Sequence, residues 1–224
     1  MTPLKRHTWW AVAAVLVLAF FLTGESPRAT NMGFRMNRGI APLGPFPIGQ
    51  NWVALPYTNI YTNAQDICNA LGLAPGFGAV RQIAADTGVT FSHVCGNAGP
   101  YALLTGRCVI VLNNVATNGI LAGSHPAAGV ATPGFTLFPL APPPPRGMNL
   151  YPVPYNSAAC SAQDLCVQLA LPATATVRRL NAFTGVTQSH TCGGAGAFPL
   201  ILGECVSITF PGGGPIPGIN PPHF

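Results

Sequence analysis

Two segments hold the residues best suited to chemistry: Ser92-His93-Val94-Cys95-Gly96 and Ser189-His190-Thr191-Cys192-Gly193. A His two residues from a Cys on one strand puts both side chains on the same face, within reach of one ion. A structural zinc site takes about four ligands. Each segment offers one His, and the chain has no Cys-x-x-Cys pair and no Cys-x-x-Cys-His haem site. His93 and His190 are therefore weak metal candidates. The plainer reading is a strand histidine bonded locally, with no metal and no cofactor.

Acid–base catalysis needs paired groups, and the chain has five carboxylates, Glu25, Asp66, Asp86, Asp164 and Glu204. Asp66 and Asp164 occupy one position in two copies of a repeat, so they form no pair within a module. Ser92 and His93 are adjacent, which on a strand points them to opposite faces and excludes a triad. No Gly-x-Ser-x-Gly, phosphate-loop or dinucleotide signature occurs. The sequence is read as that of a non-enzyme, with no catalytic residue.

The elements that carry these residues are duplicated. Gly49-Gln50-Asn51-Trp52 through Tyr57 aligns with Gly147-Met148-Asn149-Leu150 through Tyr155. Ala64-Gln65-Asp66-Ile67-Cys68 aligns with Ala162-Gln163-Asp164-Leu165-Cys166, 98 residues on. Thr87 to Gly96 matches Thr184 to Gly193, and Gly106-Arg107-Cys108-Val109 matches Gly203-Glu204-Cys205-Val206, each 97 residues on. Within a module the pattern reads as a strand (51–55), a short helix (62–71) capped by Thr62 or Asn63, and strands at 79–83 and 89–94 around an Asp86-Thr87-Gly88 turn. Two further strands, 101–104 and 108–112, complete it. The fold class is mainly β with one short helix per module (α+β): two duplicated small antiparallel-sheet modules joined by Pro/Gly-rich linkers.

The chain divides into a signal peptide (1–24), an extended Pro/Gly-rich arm (25–48), repeat module 1 (49–113), a Pro-rich linker (114–146), repeat module 2 (147–210) and a Pro/Gly tail (211–224). The signal reading rests on Lys5, Arg6 and His7 ahead of a 14-residue apolar run, Trp9 to Leu22. That run is short of the roughly 20 residues that span a bilayer. The protein is expected to be secreted, extracellular or at the cell surface, with no membrane contact after cleavage.

Export makes disulfides the default state of Cys68, Cys95, Cys108, Cys160, Cys166, Cys192 and Cys205. Cys68 with Cys95, and Cys166 with Cys192, read as helix-to-sheet bridges. Cys160 has no counterpart in module 1, where Thr62 stands. Cys160 could close on Cys205, leaving Cys108 as a free or intermolecular thiol; alternatively Cys108 bonds a neighbouring chain. Spacing leaves this open.

The motif Asn51-Trp52-Val53-Ala54-Leu55-Pro56-Tyr57, then Ala64-Gln65-Asp66-Ile67-Cys68, then His93-Val94-Cys95-Gly96, resembles a tandem module of secreted bacterial surface proteins. In those, an Asn-Trp-x-x-Leu-Pro-Tyr strand precedes an Asp-Leu-Cys helix and a Cys-Gly-Gly turn. The likeness covers both modules but not arm, linker or tail, and module 2 departs from it at Leu150 and Val153. The resemblance implies an extracellular, non-catalytic building block.

Composition narrows the partners. Only 15 of 224 residues are charged, 10 Lys or Arg and 5 acidic, and Gly plus Pro number 50. Lys5 is the only lysine and the arginines are scattered, so strong phosphate-backbone binding, and with it a nucleic-acid partner, is not expected. A surface this neutral is cheap to desolvate against copies of itself. The expected function is a structural subunit of an extracellular filament, fibre or surface layer, with copies of the chain as partners. The alternative is a carbohydrate-binding or adhesive module for cell-surface glycans. Trp52, Tyr57, Tyr61, Tyr101, Tyr151 and Tyr155 would be its stacking platforms, unless they are core.

Overall fold

In repeat 1, Asn63 starts the helix α1 (Ala64–Ala70). Its side chain accepts from Gln65 N at 2.9 Å and Asp66 N at 3.2 Å, while Asp66 Oδ2 accepts from Asn63 N at 3.1 Å. This reciprocal cap satisfies amides that the first turn leaves without partners. The helix ends at Gly72, whose φ is +63°, with Leu73 N bonded to Cys68 O at 2.9 Å. Repeat 2 builds α2 (Ala162–Gln168) the same way, with Ser161 as cap and a Leu171 N to Cys166 O bond of 2.9 Å. There Ala170 takes the left-handed position, at φ 48°.

The structure is a computed structural model that describes residues 34–56, 58–104, 107–124, 135–153 and 157–217. Residues 1–33, which include the segment 1–24 read as a signal peptide and Glu25, lie outside the described residues, as do Tyr57 and Tyr155. The strands of repeat 1 are β1 (Phe34–Ile40), β2 (Asn51–Ala54), β3 (Thr58–Asn59), β4 (Ala79–Ile83), β5 (Thr90–Val94), β6 (Cys108–Leu112) and β7 (Thr117–Ser124). Those of repeat 2 are β8 (Thr136–Leu137), β9 (Asn149–Pro152), β10 (Thr176–Leu180), β11 (Thr187–Thr191), β12 (Cys205–Thr209) and β13 (Ile216–Pro217). The main sheets have matching orders, β2-β6-β4-β5 and β9-β12-β10-β11, all antiparallel. The molecule is mainly β with one short helix per repeat.

Alternation along β6 explains how each sheet serves two cores. Val109 and Val111 join Ile67, Leu71 and Val80 under α1. Cys108, Ile110 and Leu112 face the other way, into a cluster shared with Leu150 and Cys205 of repeat 2. Burial on both faces makes the strand read as an unbroken apolar run. In repeat 2, Val206 and Ile208 pack under α2 with Leu165 and Leu169. Each fully buried Ile or Leu contributes roughly 2 kcal/mol by transfer from water.

The repeat extends past 49–113 and 147–210. The arm supplies β1, an edge strand paired with β7 from the linker, and the linker supplies β8, paired with β13 from the tail. Arm and linker are tied down alike. Asn51 Oδ1 accepts from Ala41 N at 2.7 Å, and its Nδ2 donates to Ala41 O, Gly49 O and Val111 O. Asn149 does the same with Phe138, Gly147 and Ile208. Leu43 N bonds Asn113 O, and Leu140 N bonds Phe210 O. The equivalence thus runs back through Ile40 and Leu137, both fully buried. Against α1, β7 comes so close at Gly119 that a Cβ there would sit 2.4 Å from Leu71 Cα.

One predicted element differs. Residues 101–104 form no strand; Asn63 and Ala102 make an isolated bridge, as Ser161 and Pro199 do in repeat 2. The side chain of Gln82 occupies the place of a neighbouring strand there. It accepts from Leu104 N at 3.2 Å and donates to Leu104 O at 3.4 Å.

Candidate functional site

The Ser-His-x-Cys-Gly segments are clasps between strand and helix. Gln65 Oε1 accepts from Gly96 N at 2.8 Å and lies 2.9 Å from His93 Nε2. An oxygen already accepting from an amide leaves the imidazole as the donor, so the geometry selects the Nε2–H tautomer. Two residues on, Cys95 bridges to Cys68, one helical turn beyond Gln65. Positions i and i+2 on the strand thus grip positions i and i+3 on the helix. Repeat 2 repeats the clasp through Gln163, His190, Gly193 and the Cys166–Cys192 bridge. His93 and His190 are both buried. Cys95 and Cys192 spend their sulfurs on disulfides and cannot serve as thiolate ligands. Among the described residues no three His, Cys, Asp or Glu side chains gather where a metal could be held. The partner missed in the sequence is the glutamine, whose signal was its recurrence in both Ala-Gln-Asp segments.

The remaining cysteines differ from both alternatives that spacing left open. Cys108 is bonded to Cys205, and Cys160 is the free, exposed cysteine. Cys108 is thus neither free nor intermolecular, and Cys160 does not close on Cys205. The reason is positional. Cys108 and Cys205 open the equivalent strands β6 and β12, which meet where the repeats pack, whereas Cys160 sits just before α2. Its amide donates to Asp164 Oδ2 at 3.1 Å, as that of Thr62 does to Asp66 Oδ2 at 2.8 Å.

The four described carboxylates are apart. Asp66 and Asp164 each serve a helix start. Burial acts to raise the Asp66 pKa, but hydrogen bonds from Thr62 and Asn63 outweigh it and hold the carboxyl below its ordinary value. Asp86 sits in the β4–β5 turn. Glu204 is largely buried, which lifts its pKa above the ordinary range against the amide of Ile201 and the charges of Arg179 and Arg38. Its Oε2 lies 3.4 Å from Arg179 Nη1, and its Oε1 accepts from Ile201 N at 2.8 Å.

Glu204 lies in a cleft of about 710 Å³ between the repeats, lined also by Arg38, Trp52, Arg179, Phe183 and Gln188. The cleft is one half of a near-symmetric junction. Ala182 O accepts from Gly49 N at 2.8 Å, and its counterpart Ala85 O accepts from Gly147 N at 2.8 Å. The β10–β11 turn of repeat 2 therefore seats on the arm of repeat 1. The β4–β5 turn of repeat 1 seats on the linker, where Arg146 Nε donates to Asp86 O at 2.8 Å. Comparison with protein-family models, with curated proteins and with solved structures found no match.

The described aromatic side chains among the candidate sugar platforms, Trp52, Tyr61, Tyr101 and Tyr151, are engaged in packing. Tyr151 is buried against Phe135, edge to face with centroids 5.4 Å apart. Tyr61 accepts from Ala122 N at 2.7 Å. Tyr101 stacks at a tilt on Phe91, and burial pushes its phenol pKa upward. Trp52 packs on the cluster between the repeats. Three disulfides, in keeping with an oxidising extracellular setting, lock two sheets, two helices and their junction.

Proposed function

We propose that the protein is a secreted, non-catalytic structural subunit of an extracellular assembly built from copies of itself. One observation carries this reading. Equivalent positions in the two repeats expose large apolar side chains: Val89 and Val186 at 48% and 59%, Leu104 and Ile201 at 41% and 62%. Phe46, Phe77 and Phe183 are exposed as well. Few charges lie among them, since the described residues hold seven arginines and four acidic groups. Such a surface loses little on desolvation and gains by contact. The duplicated pattern offers two similar contact regions per chain, which is what an extended array needs.

The test is negative-stain imaging of material from the producing cells, with size-exclusion chromatography of purified protein at rising concentration. Fibres or sheets and a concentration-dependent shift to large species are expected. A chain that stays monomeric at high concentration, with no ordered structures on the cells, would sink the reading.

A further inference from the structure

The junction between the repeats joins the same surface of two similar units, which by itself would let repeat 1 pair with another repeat 1. The side chains flanking the Cys108–Cys205 bridge break that equality. Arg107 and Glu204 are equivalent, each preceding the bridged cysteine. Arg38 and Phe135 are also equivalent, each two residues before the buried Ile40 or Leu137. Across the junction, Arg38 donates to Gly203 O, and Arg38 and Glu204 line the same cleft. In the mirror position, the Arg107 guanidinium lies over the Phe135 ring at 5.1 Å from its centroid. The molecule therefore seats a cation on the Gly203 carbonyl beside Glu204, in the same cleft, at one end of the junction and a cation on an aromatic face at the other.

We propose that this junction is a selective recognition surface on which repeat 1 accepts a repeat 2 and rejects a second repeat 1. Two copies of repeat 1 would set Arg38 against Arg107 twice, like charges in a partly buried place. Two copies of repeat 2 would set Phe135 against Glu204 twice, an anion at the negative face of a ring. Repeat 1 with repeat 2 is the pairing that sets neither Arg38 against Arg107 nor Glu204, already paired with Arg179, against the Phe135 ring. This surface is filled within each chain, so copies joined through it must exchange repeats, repeat 1 of one seating on repeat 2 of the other. That polarity deepens the assembly proposed above and rests on it only for its use, since the selectivity belongs to the junction itself.

Full-length chains test this, all carrying Cys160→Ser to remove the exposed thiol. One keeps Cys205 and carries Cys108→Ala; the other keeps Cys108 and carries Cys205→Ala. Each is reduced, denatured and refolded in a glutathione redox buffer, alone and mixed. Oxidised glutathione takes the two electrons released as each disulfide forms. The mixture is expected to yield at least ten-fold more covalent dimer than either chain alone, with a Cys108–Cys205 peptide link by mass spectrometry. Adding Arg107→Glu to the chain that keeps Cys108 should let that chain dimerise alone through Cys108, because Arg38 then meets a carboxylate. Equal dimer from single chains and mixture overturns the selectivity, and so does the absence of a Cys108–Cys205 link in the mixture. A folded Arg107→Glu chain that gains no dimer removes charge as its basis. If these fail while fibres are still seen on cells, the structural reading stands and a different face builds the assembly.

Discussion

The residue before β6 is Arg107, and the residue before β12 is Glu204; the residue on β4 facing Leu104 is Gln82, and its counterpart on β10 is Arg179. These substitutions sit at or beside the junction between repeats. The internal anchors coincide: both repeats clasp the helix with a Gln, a His and a disulfide, both seal the arm or linker with an Asn, and both cap the helix with an Asn or Ser and an Asp. Arg179 bonds Glu204, Pro199 O and Gln188, and lies over Phe198, where the neutral Gln82 meets only backbone. Internal packing demands the same residues in each repeat, whereas a junction between two similar bodies gains specificity by making them differ.

The largest effect should come from cutting the cross-repeat bridge. Cys108–Cys205 spans a sequence separation of 97 and Cys68–Cys95 one of 27. Chain entropy assigns loops of those sizes about 4.7 and about 3.5 kcal/mol. Cys108→Ala with Cys205→Ala should therefore lower unfolding free energy in urea by more than Cys68→Ala with Cys95→Ala. The reverse order would mean that noncovalent contacts already hold the repeats together. Next, Asn51→Ala and Asn149→Ala should each cost about 3 kcal/mol, because each strands several buried backbone groups. Losses differing by more than about 1 kcal/mol would break the equivalence of arm and linker.

A pH series of thermal unfolding separates two carboxylates. The folded pKa of Glu204 is raised above 4.5, so its stabilising contribution is full at low pH and is lost as pH rises through the folded value. That of Asp66 is lowered below 3.8, so its contribution is present above that value and is lost as pH falls. Glu204→Gln should flatten the decline on the alkaline side of 4.5, and Asp66→Asn the decline on the acid side of 3.8. Smallest is the helix end. Gly72→Ala should cost about 1 kcal/mol, since only the left-handed backbone resists it, and Ala170→Gly should gain about 0.5 kcal/mol by relieving the same strain. Equal and opposite shifts in calorimetry would show the two Schellman ends to be interchangeable.

Much of the fold was legible because it is local or repeated. The helix at Ala64–Ala70 announced itself by Asn63 and Asp66, and the hairpin by Asp86-Thr87-Gly88. The helix-to-sheet bridges follow from cysteines that recur in both copies. The part played by arm, linker and tail was less legible. Their Pro and Gly content marked connectors, yet Ile40 and Leu137 are core residues held by asparagines about ten positions on. The partners of Cys108 and Cys160 were beyond reach, because a bridge across a junction depends on how two bodies meet, which no spacing encodes. Gln65 and Gln163 stood in a repeated motif in plain view, but glutamine carries no pattern that names its partner.

The sequence by itself determined that the chain is a duplicated, charge-poor, cysteine-stapled β protein. Periodicity, turn residues and repetition act over short distances and survive as pattern. Only the tertiary structure decided that Cys108 meets Cys205, that the histidines are clasps, and that Arg38 reaches the Gly203 carbonyl while Arg107 lies over Phe135. Those are contacts between surfaces far apart in the chain, settled by the geometry with which two folded repeats bury their shared faces.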